Sequence, residues 1–77
     1  MFTNEFEWDA TVTTILDETG ECDDIEVTID DAGVFMRQYN EATDKYDLIV
    51  MSHMQFQEFL IAMRTKEGAY RIFFEKK

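Results

Sequence analysis

The chain has 77 residues and a formal net charge of −10 at neutral pH. Its hydrophobic content of 45% and aromatic content of 14% exclude a disordered acidic tail, and its length predicts one small domain over residues 1–77. A single cysteine, Cys22, excludes an internal disulfide and favours a reducing, cytoplasmic location. No apolar run is long enough to cross a membrane, so we expect no membrane partner.

The acidic charge is concentrated in the first 36 residues, which hold eleven carboxylates and no Lys or Arg. From Arg37 onward, seven basic side chains outnumber six acidic ones. A field of this polarity repels phosphate and attracts cations or basic protein surfaces.

Four strands are predicted before any helix. β-Branched residues dominate from Trp8 to Leu16, and alternating apolar positions mark residues 25–30. A short hairpin loop over 30–33 leads to a third strand over 34–39. Residues 46–51 form a fourth strand, whose continuous apolar character favours a central position in the sheet.

A helix is predicted to begin after Ser52, because Ser52 and Gln55 have the spacing of a capping box. One helix face then carries Phe56, Phe59, Leu60 and Met63. We expect this face to be buried against Val27, Ile29, Leu48 and Val50. Gly68 is expected to end the helix, and alternation over 70–74 predicts a terminal strand.

The predicted order is therefore β-β-β-β-α-β. Short connections between successive strands imply an α+β fold, in which an antiparallel meander of four to five strands has one helix packed on one face.

Catalytic and metal-binding patterns are lacking in the sequence. His53, the only histidine, has no nucleophile or carboxylate at a catalytic spacing, and the carboxylates around Cys22 disfavour its thiolate. The acidic residues between 17 and 26 could hold Ca²⁺ weakly, but they lack the spacing of a calcium loop. We expect no enzyme activity, no cofactor and no metal site.

Two functional hypotheses remain open. In the first, carboxylates on the second strand and its loops bind a basic protein partner, which could be a nucleic-acid enzyme whose DNA they imitate. The residues assigned to this role are Asp23, Asp24, Glu26, Asp30 and Asp31.

The second hypothesis starts from Phe35, Arg37 and Tyr39, which share one strand face because they are two residues apart. Aromatic side chains around an arginine can stack unpaired bases. The same pattern also fits core aromatics that flank a solvated arginine.

Residues 25–64 resemble the transcriptional positive cofactor 4 family of single-stranded-DNA-binding proteins. Arg37 and Tyr39 match its Arg-x-Tyr strand, and Gln55 and Phe56 stand where the family has Gln-Trp. Ile49, Met51 and Ser52 match its Ile-x-Leu-Ser segment.

The resemblance implies a twisted sheet backed by a helix, a homodimer, and DNA binding through Phe35, Arg37, Tyr39 and Lys45. The loop before the last matching strand differs from the family's lysine-rich loop, because it contains Asp44, Lys45 and Asp47. Phosphate neutralisation supplies most non-specific affinity for nucleic acid, so the charge of −10 favours the basic-protein hypothesis.

Overall fold

The computed structural model describes residues 1–64 as one antiparallel sheet followed by one helix. Each strand pairs with the next along the chain, so the spatial order is β1-β2-β3-β4-β5. The elements are β1 (Phe2–Phe6), β2 (Ala10–Ile15), β3 (Ile25–Asp30), β4 (Gly33–Asn40), β5 (Lys45–Met51) and α1 (His53–Met63). The predicted α+β meander with one helix is confirmed.

Two features of the sheet differ from the sequence prediction. β1 was not predicted, because Phe2–Phe6 is short and gives no clear alternation against its polar neighbours. β5 was expected at the centre of the sheet, but within residues 1–64 it pairs only with β4 and forms an edge. α1 ends at Met63 with Arg64 as its C-cap, so the prediction that the helix continues to a stop at Gly68 is wrong. The predicted strand over 70–74 lies outside the described residues.

Strand register assigns every side chain to one of two sheet faces. Val27 lies opposite Met36, and Met36 lies opposite Ile49, so these three share the first face. Val34 also belongs to this face. Val34 is fully buried and Val27 is 7% exposed, and they are the only buried hydrophobic side chains of residues 1–64. The core is therefore small and lies on the first face of β3 and β4.

The predicted capping box forms at the start of α1. The Ser52 hydroxyl accepts a hydrogen bond from the Gln55 backbone N–H at 3.0 Å, and the Gln55 side chain accepts one from the Ser52 N–H at 3.0 Å. His53 Nε2 donates to the backbone carbonyl of Asp30 at 2.6 Å. The bond from His53 attaches the first turn of α1 to the hairpin that joins β3 and β4.

The predicted burial of the helix face is only partly correct. α1 contacts β4 and β5, where Phe56 and Met63 are half-buried. Phe59 and Leu60 remain 43% and 41% exposed.

On β5, the residues predicted to contact the helix lie on the other face of the sheet. Leu48 lies opposite Arg37 and Val50 lies opposite Phe35, which places both on the second face, away from Val27. A shift of one residue along a strand exchanges the two faces, so Ile49 and Met51 occupy the first face instead.

Candidate functional site

A cleft of about 440 Å³ lies between the β2–β3 loop and the β4–β5 turn. These two connections project from the same end of the sheet, because Ile15, Ile25, Gln38 and Asp47 form one row across β2 to β5. Four acidic residues line the cleft, and no Lys or Arg of residues 1–64 does: they are Glu21, Asp23, Glu41 and Asp47.

The β2–β3 wall of the cleft is organised by the carboxylate of Asp17. It accepts hydrogen bonds from the Thr19 hydroxyl at 2.8 Å, the Thr19 N–H at 3.1 Å and the Cys22 N–H at 2.7 Å. The Thr19 hydroxyl, followed by the Cys22 N–H, lowers the pKa of Asp17 below its usual value. Asp17 therefore stays ionised and closes the loop that carries Glu21 and Asp23.

The opposite wall is the β4–β5 turn, which closes on Asn40. The Asn40 carbonyl accepts the Asp44 N–H at 2.8 Å, and the Asn40 side chain accepts the Ala42 N–H at 3.0 Å. Asp44 adopts a left-handed conformation with φ of 58°. Its carboxylate accepts a hydrogen bond from the Tyr39 hydroxyl, and this bond is the main reason that the pKa of Tyr39 is raised.

Side-chain amides form the floor between the two walls. Gln38 Nε2 donates to the backbone carbonyl of Asp23 at 2.9 Å, and Asn40 Nδ2 donates to Asp47 Oδ2 at 3.1 Å. The first bond joins the β2–β3 loop to β4, the strand that leads into the opposite wall. Of the four lining carboxylates, Asp47 receives a side-chain hydrogen bond from a neutral amide, and none forms an ion pair within the described residues.

This end of the sheet is strongly negative as a whole. Among residues 1–64, the cationic groups at this end are Lys45 and the N-terminal ammonium, and the latter is paired with Glu18 at 2.8 Å. That pairing lowers the pKa of Glu18. Eight carboxylates lie in the two connections or at the strand ends that adjoin them: Asp17, Glu18, Glu21, Asp23, Asp24, Glu41, Asp44 and Asp47. Within residues 1–64, no group of His, Cys, Asp or Glu has the arrangement of a metal site.

The five carboxylates predicted to bind a partner do not form one cluster. Asp23, half-buried, and Asp24, exposed, lie at the cleft end of β3. Asp30 and Asp31 lie at its other end, about 17 Å away along a six-residue strand. Asp30 Oδ1 is already bonded to the backbone N–H groups of the hairpin, at 2.8 Å and 3.2 Å.

The fifth predicted carboxylate, Glu26, lies on the second face and is bonded to Arg37. Arg37 Nε donates to Glu26 Oε1 at 2.7 Å, and its guanidinium carbon lies 4.5 Å from the centre of the Tyr46 ring. Tyr46 also makes an edge-to-face contact with Tyr39 at 5.4 Å between ring centroids. The charges of Glu26 and Arg37 therefore balance each other on the second face.

The four residues of the nucleic-acid hypothesis are divided between the two faces. Phe35, Arg37 and Tyr39 share the second face with Tyr46, as their spacing predicted. Lys45 lies opposite Asn40 and therefore belongs to the first face. The structure thus brings the aromatic residues and Arg37 together, but it leaves Lys45 outside that group.

Comparison with known proteins places nearly all of the sheet and of α1 in one family. Residues 3–62 match the family model described as Domain of unknown function (DUF8831). The chain belongs to the DUF8831 family. No curated protein and no solved structure matches it. All four carboxylates that line the cleft lie within the DUF8831 region.

Sequence reasoning missed three of the four lining carboxylates: Glu21, Glu41 and Asp47. A usable signal was present, because alternate connections of an antiparallel meander lie at the same end of the sheet. The β2–β3 and β4–β5 connections, both rich in carboxylates, could therefore have been placed together. The described residues include no helix with the length and apolar character needed to span a membrane.

Proposed function

We propose that this DUF8831 chain is a non-catalytic interaction protein that binds a basic surface of a partner protein through its acidic cleft. One observation carries the proposal: Glu21, Asp23, Glu41 and Asp47 converge on one cleft that no Lys or Arg of the described residues lines. Carboxylates drawn together without a counter-charge repel one another, and a cationic group from a partner relieves that repulsion.

The chemistry of the cleft suits the side chains of lysine and arginine. Its volume of about 440 Å³ exceeds what one such side chain occupies, and its lining is mainly polar. Arginine can use its planar set of donors on two carboxylates at once, whereas lysine acts as a compact charge. We therefore assign Asp23 and Asp24 to partner binding, together with Glu21, Glu41 and Asp47.

The partner class that fits best is a protein that handles nucleic acid. Such proteins carry basic surfaces matched to closely spaced phosphates. The acidic residues at the cleft end of the sheet come from two connections that lie at the same end, so they present a cluster of negative charge to such a surface. In this view, the chain occupies a basic groove and acts as a regulator, not as a catalyst.

A hexalysine peptide tests where cations bind. We expect backbone amide NMR signals of residues 20–23, 38–42 and 47 to shift first and to follow one saturating curve. The shifts should weaken as salt is added, because the field is screened. Shifts spread evenly over all acidic residues, including Asp9 and Asp31, would show that the peptide responds only to net charge and that the cleft is not a site.

A second candidate function, single-stranded-DNA binding, is favoured by the second face alone. There, Phe35, Tyr39 and Tyr46 surround Arg37, which is the pattern of a base-stacking surface. Arg37 is engaged with Glu26 at 2.7 Å, however, so little of its charge is available for phosphate.

Fluorescence anisotropy with a labelled thymidine oligonucleotide distinguishes the two functions. For the basic-protein function, we expect a dissociation constant weaker than about 10⁻⁵ M at physiological salt. Sub-micromolar binding that falls steeply with salt and is lost in Arg37→Ala would instead support the nucleic-acid function.

A further inference from the structure

We infer that the free edge of β5 is a homodimer interface, at which two copies of the chain pair β5 with β5 in antiparallel orientation. Within residues 1–64, β5 is hydrogen-bonded to β4 on one side only. Along its other side, alternate residues present backbone N–H and C=O groups that no strand of residues 1–64 pairs with. A second copy related by a two-fold axis satisfies these groups and extends the sheet to ten strands.

The side chains of β5 are unusual for an edge strand. Tyr46, Leu48, Ile49 and Val50 are 56%, 58%, 60% and 59% exposed, on both faces of the sheet. Edge strands that stay unpaired in solution are normally protected by charged residues, proline or bulges. On β5, the charged residues are confined to its beginning, so the stretch over 48–51 has no such protection.

α1 extends the apolar surface beside the same edge. Met54 and Ile61 are 72% and 62% exposed, and Phe59 and Leu60 are 43% and 41% exposed. Because α1 contacts β4 and β5, these side chains lie at the β5 half of the sheet. Eight such side chains on β5 and α1 leave on the order of 100 Å² each in water. Because they are divided between the two faces of the sheet, pairing at the β5 edge covers part of this area, which makes an interface below the standard size of roughly 800 Å² per partner.

The distribution of charge favours a second copy of the chain as the binding partner, and it favours β5 over β1 as the edge at which the two copies pair. Residues 45–64 carry two acidic and two basic side chains, so two copies can meet there without strong local repulsion. The opposite edge, β1, also exposes large side chains, with Phe6 at 78%. β1 contains Glu5 and is followed by Glu7 and Asp9, with no Lys or Arg before Arg37, so pairing at that edge would bring like charges together.

The dimer and the acidic cleft respond to salt in opposite ways. Each copy carries a net charge of −10, and this long-range repulsion opposes association. Added salt screens it and leaves the apolar contact intact, so dimerisation should strengthen. Binding of a cationic peptide in the cleft should weaken under the same change, which separates this inference from the proposed function.

Sedimentation equilibrium of the full chain at micromolar concentration tests the inference. We expect a species of twice the 9.1 kDa chain mass, with a dissociation constant that falls as salt rises. Val50→Lys places a charge at the exposed edge and should shift the chain to monomer, whereas the matched Phe6→Lys on β1 should leave the dimer unchanged. Leu48→Lys repeats the test if Val50→Lys fails to fold, as judged by circular dichroism.

Three results would overturn the inference. The first is a wild-type chain that stays monomeric at all salt concentrations while its β5 amides resist hydrogen exchange, because the edge is then covered within one chain. The second is a monomer whose β5 amides exchange freely. The third is a dimer that Phe6→Lys dissociates and the β5 variants do not.

Discussion

At the scale of single residues, Gly33 is a position where the backbone leaves no room for a side chain. Its φ is 147°, and a Cβ added there would lie 2.7 Å from the backbone carbonyl oxygen of Met51. That oxygen belongs to β5, so the clash can be relieved only by a movement between β4 and β5. Glycine at the start of β4 thus allows the close approach on which the β4–β5 pairing depends.

Gly33→Ala should therefore destabilise the fold by about 1–3 kcal/mol, measured as a change in the urea midpoint at constant slope. Gly20→Ala is the matched control. Gly20 also has a positive φ, of 78°, but nothing lies within 4 Å of the added Cβ. The control should cost less, since it adds backbone strain without a clash. Equal losses at the two glycines would mean that the contact with Met51 is unimportant.

At the scale of elements, sequence patterns located β2 to β5 and α1 because each has a local cause. Alternation marks β3, and the capping box formed by Ser52 and Gln55 marks the start of α1. β1 was missed because its main determinant is non-local: its five residues pair with β2, from Phe2 opposite Ile15 to Phe6 opposite Thr11. Strand periodicity alone could not reveal that pairing.

For a similar reason, the sequence could not predict the place of β5 in the sheet or which of its alternate residues face the helix. A continuous apolar run fits a central strand, or an edge strand that a second chain covers, and the run itself does not distinguish these. Nor does a period of two say which of its faces meets the helix. The register of Met36 opposite Ile49 fixes that choice, and it depends on the length of the β4–β5 turn.

The candidate site shows the same division between local and non-local information. The sequence drew attention to the acidic half, and one of the residues assigned there, Asp23, lines the cleft. It did not reveal that Glu41 and Asp47, from the other half of the chain, complete the cleft. It also did not reveal that Glu26 is paired with Arg37 or that Asp30 is used inside its own hairpin.

At the scale of the whole molecule, charge is distributed by fold topology and not by sequence halves. The cleft end of the sheet gathers eight carboxylates, whereas residues 45–64 at the β5 edge carry balanced charge. We propose that one molecule uses two different surfaces: an acidic end for a basic partner, and an apolar edge for its own copy. Because binding at these surfaces should respond oppositely to salt, the two proposals can be tested separately.

The most direct test of the central claim compares two variants of identical net charge. The cleft variant combines Glu21→Gln, Asp23→Asn, Glu41→Gln and Asp47→Asn. The control variant combines Glu5→Gln, Glu7→Gln, Asp9→Asn and Asp31→Asn, which removes four carboxylates outside the cleft. Each variant has a net charge of −6, because four of the original ten negative charges are removed.

Calorimetric titration with hexalysine at low salt is the measurement. If the cleft is the site, the cleft variant should bind at least tenfold more weakly than the control variant, a difference of about 1.4 kcal/mol. The control variant should stay close to the wild type, apart from a small loss due to the weaker overall field. Equal affinities for the two variants would contradict the account, since binding would then depend on the amount of negative charge and not on its convergence in the cleft.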